Sequence, residues 1–161
     1  MKHRTILLLA ASLAGIAIAS TALRAQATAP EPLPLPELMG HVMQRNAYQL
    51  WAWTALEADA TGNHSGEPKS EDDWENAESD ALTLRQLAIL LRGAPYRQED
   101  PRWDRLAGDL EAAATASAQA AERKDLAGLA AAGEAINARC VACHWAFAPA
   151  LEEVPPPVPV S

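Results

Sequence analysis

The sequence predicts an all-α protein, an antiparallel four-helix bundle, and three observations predict it. Apolar residues recur at helical spacing over long stretches. Trp74, Ala77, Ala81, Leu84, Ala88 and Leu91 step by 3, 4, 3, 4 and 3, and Trp103, Leu106, Leu110, Ala113, Ser117 and Ala120 repeat those steps. Such a seam lets each helix bury one face against its neighbours. Clusters of Gly, Pro, Asn and Asp punctuate the chain between these stretches. No stretch alternates polar and apolar residues in the manner of a half-buried strand.

In chain order, residues 1–27 are predicted to be an export leader. Lys2, His3 and Arg4 form a basic start, Ile6 to Ala19 is uncharged and apolar, and Ala25-Gln26-Ala27 offers a cleavage site before Thr28. The alternative is an uncleaved anchor, because Thr5 to Leu23 is nearly long enough to span a bilayer. Either way the folded part is expected outside the cytoplasm, in the periplasm, with no membrane span in the mature form, since no later segment is read as long and apolar enough to cross a bilayer. Residues 28–35 are a linker. There Pro30, Pro32 and Pro34 alternate with Glu31, Leu33 and Leu35, which favours extended polyproline over helix.

The folded domain is expected over residues 36–148. Helix one should run from Pro36 to Ala60, with Met39, Met43, Leu50 and Thr54 along one stripe and Val42, Trp51 and Trp53 widening it. Thr61-Gly62-Asn63-His64-Ser65-Gly66-Glu67-Pro68 is a breaker loop. Ser70 followed by Glu71-Asp72-Asp73 opens the second helix as a capping box with an acidic first turn. Gly93-Ala94-Pro95 stops it, and Asp100-Pro101 supplies the cap and first residue of the third. After a turn at Glu122-Arg123-Lys124, Asp125 caps the fourth, whose seam is Leu126, Leu129, Gly133, Ile136, Cys140 and Cys143. Gly128 and Gly133 on this helix leave room for something bulky near the cysteines. The tryptophans at 51, 53, 74 and 103 are expected in the core. Residues 149–161 are a proline-rich tail.

Charge narrows the partners. The whole chain carries 13 Lys plus Arg against 21 Asp plus Glu. The leader holds three of the basic residues and no acidic one, so the mature chain has a net charge of about −11. Such a surface argues against nucleic acid and anionic lipid, and suits a basic protein partner.

The chemistry is concentrated in Cys140-Val141-Ala142-Cys143-His144, the attachment pattern of a c-type haem. Two thiols three apart can add to the two vinyl groups of one haem as thioethers, and the adjacent imidazole is then placed as proximal iron ligand. Other readings of the five residues fare worse. A thioredoxin-like pair places its first thiol at a helix N-terminus after a strand. A structural zinc site needs a second ligand pair, and His3, His41 and His64 form none. A disulfide across two residues of a helix is strained. One covalent haem c is therefore expected at Cys140, Cys143 and His144.

With this motif at its C-terminal end, the chain resembles the class II cytochromes c, the cytochrome c prime group. The resemblance covers residues 36–148 and includes Phe147, three residues after the histidine. A branch of small exported cytochromes is closer still, with Leu38-Met39 opening helix one, Trp51 twelve residues later and Asp72-Asp73-Trp74 opening helix two. Two departures stand out. Ala148 replaces a basic residue common after the aromatic, and Arg45-Asn46-Ala47-Tyr48 replaces a segment that usually holds proline and alanines. The resemblance implies that helix one covers the distal face of the haem and that Met39 is the second iron ligand, with Met43, one turn on, as the alternative. It also implies a homodimer paired through the first two helices.

A sulfur ligand favours a low-spin electron carrier. An apolar distal residue instead gives a five-coordinate haem that binds nitric oxide or carbon monoxide. An enzyme is not expected, since distal acid–base groups would be needed and only His41 and Arg45 are near. On an α-helix His41 lies about 160° round from Met39.

Overall fold

The computed structural model describes residues 31–59 and 62–151; the leader, the start of the linker and the tail from 152 lie outside the described residues. The chain divides into two units, Met1–Pro32 and Leu33–Ser161, and every element described below belongs to the second.

The fold is all-helical apart from one small hairpin. Helix α1 is continuous through three pieces, Leu35–Glu37, the π-helical segment Leu38–Met43, and Gln44–Ala52. The hairpin is β1, Leu56–Asp59, paired antiparallel with β2, Gly62–Ser65, so that Leu56 lies opposite Ser65. Helices α2, Glu71–Leu91, α3, Pro101–Glu122, and α4, Leu126–Phe147, follow, and a 3-10 turn covers Pro149–Leu151.

The helix starts are set by the residues the sequence pointed to. Ser70 Oγ accepts the Asp73 N–H at 3.1 Å while Asp73 Oδ2 accepts the Ser70 N–H at 2.9 Å, a reciprocal capping box. The Lys69 and Ser70 N–H groups, both donating to Asp73 Oδ2 at 2.9 Å, favour the ionised carboxyl and lower its pKa. Asp100 accepts the Arg102 N–H ahead of Pro101, and Asp125 accepts the Gly128 N–H at 2.9 Å. Each satisfies an N–H that the first turn of a helix leaves without a partner.

α2 packs along α3 and α3 along α4, while α1 lies against both α2 and α4. The seams of α2 and α3 are buried as spaced: Ala77, Ala81, Leu84, Ala88 and Leu91 on one, all six positions from Trp103 to Ala120 on the other. Ala107, Ala114, Ala118 and Ala121 widen the second stripe. Small side chains here let helices approach, and the large fully buried ones, Leu84, Leu129 and Ile136, each contribute about 1.5–3 kcal/mol by leaving water.

Four expectations are corrected. Helix one ends at Ala52, eight residues early, and the chain turns into the hairpin where a helix and then a loop were expected. Aromatic Trp53 and β-branched Thr54 are poor helix formers. The Trp53 indole N–H is drawn to Asp80 Oδ2 at 2.8 Å, and the last turn tightens with Thr54 N–H donating to Trp51 O at 3.1 Å. Gly66 then closes on the helix end, donating to Ala55 O at 3.0 Å; a methyl at this position would run into the Ala52 carbonyl. Second, Trp51, Trp53 and Trp74 are half-buried, and Trp103 alone of the four is in the core. Third, the space beside Gly133 is taken by Trp51, whose indole N–H donates to the Gly133 carbonyl at 3.1 Å. Fourth, α4 is long and apolar enough to cross a membrane by length and composition, with a mean hydropathy of 1.2. Alanine raises that value, and Leu129, Ala132, Gly133 and Ile136 are buried against the rest of the fold.

Candidate functional site

Cys140, Cys143, His144 and Phe147 all lie in the last two turns of one unbroken helix. Three- and four-residue spacings put side chains on one face of an α-helix, and this face is the seam side. Upstream, Leu129, Ala132, Gly133 and Ile136 on this face are buried; from Cys140 onward the same stripe is only half-buried. The seam thus comes up toward the surface at the motif. Burial nonetheless pushes the Cys143 thiol above its ordinary pKa. A redox-active thiol of the thioredoxin kind needs the opposite shift. No disulfide joins the two sulfurs. Among the described residues no group of three or more His, Cys, Asp and Glu is placed to hold a metal ion by itself.

The end of the motif is fixed by aromatic contacts. Phe147 meets the buried Trp103 edge-on, with ring centroids 5.0 Å apart. Trp103 in turn donates from its indole to Leu91 O at 2.7 Å, so α2, α3 and the last turn of α4 meet at one point. The Arg102 guanidinium lies 5.5 Å from the Phe147 centroid. It also grips Asp100 through three bonds, Nε to Oδ1 and to Oδ2, each at 3.1 Å, and Nη2 to Oδ2 at 2.7 Å. That pairing holds the Asp100 carboxyl below the usual carboxylate range.

Helix α1 brings the candidate distal groups. Met39 packs, half-buried, on the same core cluster as Cys140 and Phe147, together with Leu35, Val42 and Leu87. Met43 is 7 % exposed and belongs to the core itself. His41 is exposed, with its Nε2 3.2 Å from Glu37 Oε2. Arg45 is exposed as well. The π segment is what separates the methionines. Its bonding, with the Gln44 N–H reaching Met39 O, brings Leu38 and Met43, five apart, into the core together. Leu38 was not recognisable as a core residue from a 3.6-residue period. Nor was Tyr96, a buried phenol that donates to Leu33 O at 2.9 Å.

The residues fit a flat apolar group attached through two sulfurs. Both thiols lie on the seam where burial falls away, an imidazole stands one turn after the first, and a methionine from α1 borders the same apolar cluster. Comparison of the chain with protein-family models, with curated proteins and with solved structures finds no match.

Proposed function

We propose that the chain is an exported c-type cytochrome, built as an antiparallel four-helix bundle of the class II kind, that carries electrons in the periplasm. Cys140 and Cys143 would hold one haem c through thioethers, His144 would be its proximal iron ligand and Met39 its distal one. When bound, the haem supplies a one-electron iron couple. The protein's residues do the rest. The α4 seam presents both thiols on one face, and the Phe147–Trp103 contact holds the last turn of that helix in place. Leu35, Val42 and Leu87, packed like Met39 against the main core, add apolar surface to that cluster, and low polarity around a sulfur ligand would favour the reduced state.

The observation that supports this reading is that Met39 and Cys140, both half-buried, each pack against the one main core cluster, Cys140 where the α4 stripe ceases to be buried. Solvent extraction and spectroscopy test it. In acidified organic solvent the colour should stay with the protein. Oxidised and ferrous spectra should be low spin, with carbon monoxide binding slowly or not at all. Colour lost to the solvent sinks the covalent haem. A high-spin ferrous protein that takes up carbon monoxide freely keeps the haem but replaces electron transfer with gas binding.

A further inference from the structure

Tyr96 lies in the connection between α2 and α3, 6 % exposed, and its hydroxyl reaches across 63 positions of sequence to the Leu33 carbonyl, two residues before α1 begins. Five residues on from Leu33, the Leu38 N–H donates to Pro34 O at 3.0 Å and the π segment starts. The buried positions of α1, at Leu38, Met43, Ala47 and Leu50, step by 5, 4 and 3. In an unbroken α-helix the residue four before Met43 on this face is Met39. Beside the wide register observed, the ordinary α register is the alternative for this segment. In the wide one Leu38 fills the core and Met39 stays at its edge; in the α register Met39 takes the place of Leu38. Passing from one to the other turns the preceding chain by about 100°, which carries Leu33 away from Tyr96. The wide turn is the rarer geometry, so an outside contact is needed to favour it.

We propose that Tyr96 is a positioning residue for α1: its bond to Leu33 holds the wide register and keeps Met39 at the rim of the core, on the cluster it shares with Cys140. The register stands on the geometry alone; its effect on the iron rests on the cytochrome reading above.

The test uses the full chain with its methionine methyl groups carrying carbon-13. Met39 and Met43 are followed by NMR in the presence of a soluble paramagnetic agent, in wild type and in Tyr96→Phe, which removes only the hydroxyl. Losing one hydrogen bond should move the balance between registers about fivefold toward the α form. The Met39 methyl should then gain protection in the direction of that of Met43, while Met43 stays as it was. Where Met39 binds iron, its methyl signal starts far outside the ordinary methionine range, and part of it should return in the variant. Deleting Gly40, where an added methyl would meet nothing within 4 Å, puts Leu38 four before Met43 in an ordinary helix. Added to Tyr96→Phe, this deletion should restore the wild-type Met39 signal. An unchanged Met39 signal in Tyr96→Phe overturns the proposal. So does failure of the deletion to restore it, or a common rise in the exposure of both methyls. A wild type without haem sinks the cytochrome reading only, and the accessibility comparison then decides the register.

Discussion

Two methionines one turn apart differ in what their removal should cost. Met43 is inside the core, so Met43→Ala leaves a cavity and should lower stability by about 2–3 kcal/mol while leaving the iron spectrum as it was. Met39 sits at the rim, so Met39→Ala should cost ~1 kcal/mol or less, yet convert a low-spin spectrum to high spin. Urea unfolding read beside the optical spectrum separates the two, and the reverse pattern would transfer the iron ligand to Met43. The proposed attachment residues, Cys140, Cys143 and His144, stand out in the sequence because the pattern occupies five adjacent positions. Met39 and Met43 were legible as candidates, but not their different depths. Leu38 and Tyr96 were not legible at all. A wide turn leaves no mark in composition, and the acceptor of the Tyr96 hydroxyl is a backbone carbonyl, which every residue possesses.

Elements were most legible at their starts. Ser70, Asp100 and Asp125 each cap a helix because their side chains accept an N–H that the first turn cannot otherwise satisfy. The end of α1 was hidden because it is set from outside, by Asp80 on the Trp53 indole and by Gly66 against Ala52. The α2 cap makes a prediction at this scale. Ser70→Ala should lower stability by about 1 kcal/mol at neutral pH. Asp73→Asn should also destabilise, and its effect should depend on pH with a definite sign. The folded-state pKa of Asp73 is lowered by backbone N–H bonds from Lys69 and Ser70. Its contribution is therefore complete above the unfolded value of about 3.9 and is lost as pH falls through the folded one. Wild type and Asp73→Asn should converge in thermal stability below about pH 4. A gap that stays constant from pH 7 to pH 2 would remove the carboxylate from the cap.

At the scale of the molecule, breaker residues marked out the four helices, while their packing was carried by alanine-rich seams whose facing partners a sequence does not name. Charge was the whole-molecule property easiest to read, and it bears on the proposed electron exchange. Arg139, exposed, directly precedes Cys140, while other cations of the fold are held in ion pairs. Arg102, over Phe147, is held by Asp100, and Arg97 is paired with Asp104. Arg92 is paired in the same way with Glu111 at 2.8 Å. Over its full length the chain carries a net charge of −8, so a reagent approaching the proposed haem meets a negative overall field. Electron transfer from the reduced protein to a small cationic oxidant should be fast at low salt. It should slow by about tenfold as ionic strength rises to where the Debye length falls to a few ångströms. An anionic oxidant of similar driving force should show the opposite slope, because salt relieves its repulsion. Stopped-flow rates over a salt series measure both. If the anion is favoured at low salt and the cation is indifferent to salt, the electron leaves through a locally positive patch, and a basic partner is excluded.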